Sequence, residues 1–170
     1  MDGASATDRW REERTPFQRV YDVLVGSQTF LTAQELADHA DCSETVAQDA
    51  LEQLSEMLIA ERQDGRPVRY QRNESYLRWK RAESLAREYG PEELRERIDE
   101  LITEDEAFQE QYAVPHPDAV SAADLPVGDP ESAPERWKNL NEWRTVRRDI
   151  SILQRAVKRA EIHLDDDPDE

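Results

Sequence analysis

Residues 31–72 read LTAQELADHADCSETVAQDALEQLSEMLIAERQDGRPVRYQR, and the order of signals within that stretch decides the fold. Thr32-Ala33-Gln34-Glu35 is a capping box: hydroxyl and carboxylate satisfy each other's orphan backbone N–H groups, so a helix starts here and runs to about His39. Asp41-Cys42 breaks its pattern. Ser43 caps again, and Val46, Ala50, Leu51 and Leu54 recur at helical spacing as the apolar face of a further helix ending near Met57. Two β-prone segments, 58–62 and 68–72, then flank Gln63-Asp64-Gly65-Arg66-Pro67. The Asp-Gly pair favours a reversing turn, so the stretch closes in a β-hairpin.

Working outward to the N-terminus, Thr15-Pro16 is an N-cap followed by proline at the first helical position. Phe17, Val20, Tyr21 and Leu24 make one apolar stripe that Gly26 ends. Residues 1–14 are small, polar and charged and read as a frayed arm, with Trp10 placed to dock on this first helix. A helix, a helix-turn-helix and a hairpin over residues 15–73 are the element order of a winged helix-turn-helix. In that fold the third helix enters the DNA major groove and the hairpin lies along the backbone.

Toward the C-terminus, residues 74–112 form a helical extension. Ser75 opens a helix through Trp79 to Tyr89, Gly90 stops it, and Pro91 starts another with Glu92 and Glu93 in its first turn, where they complement the helix dipole. This second helix carries Leu94, Ile98, Leu101, Phe108 and Tyr112, with Asp105 interrupting. Residues 113–133 lose periodicity and read as a linker. Residues 134–164 regain it, with Trp143, Val146, Ile150, Leu153, Val157, Ala160 and Leu164 at coiled-coil spacing, before an acidic tail at 165–170. Leu101, Phe108, Val146, Ile150, Leu153 and Val157 thus form the core either of a hairpin within one chain or of a contact between two chains. Because operators present paired half-sites, a homodimer through the helices after Ser75 is the expected arrangement. The fold class is mainly α with a small β-hairpin.

The chain has 170 residues, 39 acidic and 22 basic, for a formal net charge of −17. Lysine occurs only at 80, 138 and 158, arginine carries the rest of the positive charge, and large aliphatics are sparse. That balance matches proteins that stay soluble in the near-saturated cytoplasmic salt of halophilic archaea. At 1 M salt the Debye length is already only about 3 Å, so overall repulsion from DNA is screened and local geometry decides binding. Cys42 stands alone, and His39, His116 and His163 share no ligand spacing, so neither a disulfide nor a metal site is expected. There is no Gly-rich loop or nucleophile–base pairing, so no enzyme and no cofactor is expected. The absence of a signal-like or membrane-spanning apolar run gives a cytoplasmic expectation.

On the third helix the apolar positions turn inward. Thr45 and Gln48, with Ser43 at its start, are placed to read base edges, since Gln pairs bidentately with adenine and the Thr methyl touches thymine. Glu44, Asp49 and Glu52 share that face and disfavour phosphates nearby. The hairpin is different: between Glu61 and Arg81 seven basic residues stand against three acids, a local excess of +4. Arg62, Arg66, Arg69 and Arg72 there suit phosphates or a narrow minor groove.

Trp10-Arg11-Glu12, the run 15–24 (TPFQRVYDVL), Glu35-Leu36-Ala37-Asp38, Ser43-Glu44-Thr45-Val46 and Arg69-Tyr70-Gln71-Arg72 together resemble archaeal winged-helix regulators loosely called ArsR-like or MarR-like. The narrower resemblance is to a haloarchaeal group of unassigned function. It covers roughly residues 8 to 112 and implies a dimeric transcription regulator that binds double-stranded DNA. The metal-sensing cysteines of the ArsR type have no counterpart, so ligand sensing is not implied. The alternative is a winged-helix protein-interaction module or adaptor that does not bind DNA specifically, with its partner on the C-terminal helices.

Overall fold

The computed structural model describes residues 5–121 and 133–166; the chain is mainly helical, with one small three-stranded antiparallel sheet. It divides into two compact units, Met1–Leu77 and Arg78–Glu170. The division falls inside a helix, a few residues past the hairpin.

In the first unit the elements are α1 (Ala6–Glu13), α2 (Pro16–Gly26), β1 (Leu31–Thr32), α3 (Ala33–Ala40), α4 (Glu44–Glu56), β2 (Ala60–Gln63), β3 (Arg69–Arg72) and the start of α5 (Glu74–Glu88). The N-terminal segment corrects the expectation of a frayed arm, because from Ala6 it is helical. Ser5 and Asp8 form a capping box, each side chain accepting the other's backbone N–H at 3.2 Å. Trp10 Nε1 donates to the Asp22 carboxylate at 2.9 Å, and Arg14 forks onto the same group at 2.8 and 3.0 Å. Burial pushes the Asp22 carboxyl up, and these donors outweigh it, holding the group below its ordinary range.

Thr32 caps α3 as its sequence demands, its Oγ1 accepting Glu35 N–H at 3.2 Å while Glu35 accepts Thr32 N–H at 2.8 Å. Thr32→Ala is expected to cost about 1 kcal/mol, read as a lower urea midpoint with unchanged slope. Between α3 and α4, Asp41 takes the left-handed conformation (φ 52°), which Asp tolerates better than most residues. Arg19 braces this turn from α2, donating to the carbonyls of Ala40 at 2.8 Å and Asp41 at 3.2 Å. It thereby satisfies helix-end acceptors that would otherwise lack partners.

The inward face of α4 is Ala47, Ala50, Leu51 and Leu54, all nearly inaccessible. Val46, expected there, is 39% exposed. Positions 47, 50, 51 and 54 complete a single helical stripe, and 46 lies beside it. The core adds Val20, Leu24, Leu36, Ile59 and Tyr70. The strand order is β1-β3-β2, with Tyr70 opposite both Leu31 and Arg62. Tyr70 on the central strand ties the sheet to the helices.

The second unit holds the rest of α5 with α6 (Pro91–Tyr112), a 3₁₀ turn (Pro117–Ala119) and α7 (Ala133–Asp165). Helices α6 and α7 pack antiparallel within one chain: Arg95 pairs with Glu161 near one end, and Trp143 and Arg147 reach Asp105 near the other. The buried set is broader than a heptad seam. Ile152 and Ala156 join Leu153, Val157 and Ala160, because Ala82, Leu85 and Ala86 of α5 pack into the same core as Leu94 and Ile98. Leu101 and Ile150 border that core, Val146 is buried and Phe108 is half-buried. Leu164, expected to continue the stripe, is 64% exposed. Part of the expected linker is built: Pro117 is buried, and Asp118 accepts from Arg144 at 3.0 and 3.1 Å. Linker residues 122–132 and tail residues 167–170 lie outside the described residues.

Asp105, which interrupts the apolar spacing, has a definite task. It accepts from Trp143 Nε1 and Arg147 Nε, both at 2.6 Å, and from Gln109 at 2.6 Å. Glu83, buried on α5, is held by Arg159 at 2.8 Å, Arg87 at 3.0 Å and His163 at 3.2 Å. The hydrogen bond from Arg159 leads in pulling its carboxyl to about 2, against burial and helped by Arg87. A carboxyl depressed when folded contributes stability above its ordinary 4.5 and loses it as the pH falls toward about 2. The melting-temperature gap between wild type and Glu83→Gln is therefore expected to be constant near neutrality, to narrow below pH 4.5 and to close near pH 2. A pH-independent gap would assign Glu83 a packing role only.

Candidate functional site

Helix α4 presents Glu44, Thr45, Gln48, Asp49 and Glu52 outward, all exposed. Ser43 begins the helix, its Oγ accepting Val46 N–H at 3.2 Å, so its hydroxyl oxygen is engaged in capping. Gln48 Nε2 donates to Glu44 Oε1 at 3.2 Å, one turn earlier. That bond engages one amide hydrogen of an exposed side chain, and the amide oxygen has no partner among the described residues. Gln48, Glu44 and Glu52 line one wall of a cleft of about 340 Å³, whose other walls include Thr32, Gln34 and the hairpin residues Pro67, Val68 and Tyr70.

The hairpin carries the positive charge. Arg66 in the β2–β3 turn is exposed, and no hydrogen bond or ion pair holds it among the described residues. Arg62 reaches only Asp64, at 3.4 Å, with both side chains largely exposed. Arg69 is exposed opposite Gln63 and Thr32. Since Arg62 pairs across the ladder with Tyr70 and Arg69 is its neighbour in sequence, the two arginines project from opposite faces of the hairpin. Glu35 senses Arg69 weakly: hydrogen bonds from the backbone and hydroxyl of Thr32 chiefly hold its carboxyl down, with the Arg69 and His39 charges adding to them.

Arg72 is placed differently from the other three. Its Nη1 donates to Val25 O at 2.6 Å and its Nε pairs with Glu74 at 2.6 Å, with the side chain only 19% exposed. It closes the C-terminal end of α2 and is spent on the fold. The structure thus brings Thr45 and Gln48 together on one exposed helix face and leaves Arg62, Arg66 and Arg69 on the hairpin. Sequence reasoning missed Arg19, Glu83 and the N-terminal helix. Only the last had a visible signal, the Ser5-x-x-Asp8 spacing. Among the described residues no group of three or more His, Cys, Asp or Glu side chains is arranged to hold a metal ion. Nor is any described helix long and apolar enough to cross a membrane.

A unit of four helices with a short sheet and an arginine-bearing hairpin, followed by a helical unit, is thus the class of protein that the geometry defines. The model of a family described as "Family of unknown function (DUF7342)" matches residues 14–161, and the chain belongs to that family. No curated protein and no solved structure matches the chain.

Proposed function

We propose that residues 15–73 are a winged helix-turn-helix and that the protein is a DNA-binding transcription regulator of a halophilic archaeon, acting in the cytoplasm as a homodimer. Helix α4 is the reading helix, with Thr45 and Gln48 at base edges, and the β2–β3 hairpin is the wing. The observation that carries this reading is the exposure of Arg62, Arg66 and Arg69 on one hairpin beside the exposed face of α4, in a chain whose net charge is −17. Strand order β1-β3-β2 supports it, since β1 leads into α3 and the wing is anchored through Tyr70. Gln48, held by Glu44, offers an acceptor and a remaining donor hydrogen, the pair that adenine's major-groove edge requires.

A second reading has its own support. Glu44, Asp49 and Glu52 give α4 an acidic outer face, which fits a basic protein partner better than phosphates. On that reading the fold is an interaction module. The deciding experiment is sequencing of genomic fragments retained by the purified protein in multimolar KCl, with folding verified under the same conditions. Enrichment of a paired-half-site sequence supports the regulator, and Gln48→Ala is expected to relax preference at one base position per half-site by about 1–3 kcal/mol. Retention of no sequence above background by the folded protein would overturn the DNA reading and favour the interaction module.

A further inference from the structure

The helical unit contains a cleft of about 390 Å³ among α5, α6 and α7, within the range of roughly 300–1,000 Å³ typical of small-molecule sites. Leu85, Leu101, Ile152 and Leu153 supply its apolar lining. Arg81, Arg97, Glu100 and Asp149 supply the charges, two of each sign.

Some opposite charges of this unit close on each other: Glu83 pairs with Arg87 and Arg159, Asp105 with Arg147, and Arg95 with Glu92 and Glu161. The charges of opposite sign that line the cleft do not pair with one another. Arg81 and Glu100 make no ion pair among the described residues, and Asp149 has only its neighbour Arg148, at 3.8 Å. Arg97 is committed to its own helix and to Tyr89, with its guanidinium 3.7 Å from the ring centre and 3.4 Å from Glu93. Opposite charges therefore border one apolar-lined cleft without touching.

We infer that this cleft binds a free α-amino acid with an apolar side chain. Each part of such a molecule meets a matching group. Its carboxylate takes the Arg81 guanidinium, whose planar fork suits a carboxylate. Its ammonium takes Glu100 and Asp149. The side chain covers Leu85, Leu101, Ile152 and Leu153. A simple anion would face two carboxylates, a simple cation two guanidinium groups, and a hydrocarbon would strip water from all four charges without replacing it. Only a zwitterion of short span answers both signs.

The inference does not rest on DNA binding, and its test reads a different quantity. L-leucine and L-phenylalanine are titrated calorimetrically into the full-length protein in multimolar KCl, beside N-acetyl-L-phenylalanine and L-phenylalanine amide, each of which lacks one charge. The expected result is saturable binding of at least one zwitterion, at least tenfold weaker binding of both blocked forms, and at least tenfold loss in Arg81→Gln. Arg81 is exposed, so that substitution leaves the core intact, and a circular-dichroism melt verifies it. No heat with either zwitterion would overturn the inference, as would equal binding of the blocked forms or affinity indifferent to Arg81→Gln. Sedimentation of the same samples tests the other occupant: a dimer that Arg81→Gln converts to monomer would make the cleft a contact between copies of the chain and sink the ligand reading.

Discussion

Replacing Arg62, Arg66 and Arg69 together by alanine is expected to weaken DNA binding on the order of a hundredfold while leaving the melting temperature unchanged. A charge-assisted hydrogen bond contributes about 1.5–3 kcal/mol, and exposure to concentrated salt discounts each of the three below that range, to about 0.9 kcal/mol, so that together they give about 2.7 kcal/mol. Stability is untouched because Arg66 has no partner among the described residues to lose and Arg62 loses only a salt bridge to the largely exposed Asp64. Arg72 serves as the internal contrast. It is bound to Val25 and Glu74, so Arg72→Ala is expected to lower stability.

Salt dependence sharpens the same test. If the proposed function holds, three phosphate contacts would release about 0.9 counterion each, so the arginines of one chain would set a slope of about −2.7 in log affinity against log salt. Glu44, Asp49 and Glu52 oppose this, because carboxylates brought near phosphates hold cations that would otherwise leave. The wild-type slope is therefore expected to be shallower than −2.7, and the variant Glu44→Gln/Asp49→Asn/Glu52→Gln steeper than wild type, with the two affinities converging in multimolar KCl. Filter or fluorescence titrations over a KCl series measure both. Identical slopes would remove α4 from the DNA surface.

The second large effect concerns Trp143→Ala, expected to cost about 3–5 kcal/mol in the helical unit. Trp143 is fully buried, stacked against both Phe108 and Tyr112 with ring centres 5.7 and 6.0 Å away, and its indole N–H is bonded to Asp105. Truncation leaves a cavity, removes the stacking partner of two aromatic rings and takes one donor from a partly buried carboxylate. Against a typical domain stability of about 5–15 kcal/mol, that is a large share. Because the two units have separate cores, the transition of Met1–Leu77 is expected to keep its midpoint while the other moves down. Hydrogen exchange resolves them: protection lost around Ile98 and Leu153 but kept around Leu51 and Leu54 is the expected pattern. Equal loss in both would show that they unfold as one.

Local signals placed most of the secondary structure. Thr15-Pro16, the Thr32–Glu35 box, Ser43, Gly90-Pro91 and Asp64-Gly65 each act on their own backbone within a few residues, so they are legible in a linear string and lie where helices and the turn occur. The same holds for the outward positions of α4, which follow from the inward ones. Ser5-x-x-Asp8 was equally legible and was outweighed by the polar composition around it.

What the sequence by itself determined is the order of the helices from α2 to α7 and of the hairpin between them, the apolar stripe of α2 and most of that of α4, α6 and α7, and the concentration of arginine in one hairpin. Only the tertiary structure decided which arginine is which. Arg62, Arg66, Arg69 and Arg72 are alike as letters, yet Arg72 meets the end of α2 across 47 positions of chain and is consumed there. The same is true of Asp105, an interruption in a repeat until Trp143 and Arg147 arrive from α7, and of Glu83, whose partners Arg159 and His163 lie more than 70 residues away. Periodicity records which side of a helix is apolar, because that is a property of one segment. Which partner a charge meets depends on chain returning from a distance, and no local pattern carries that information.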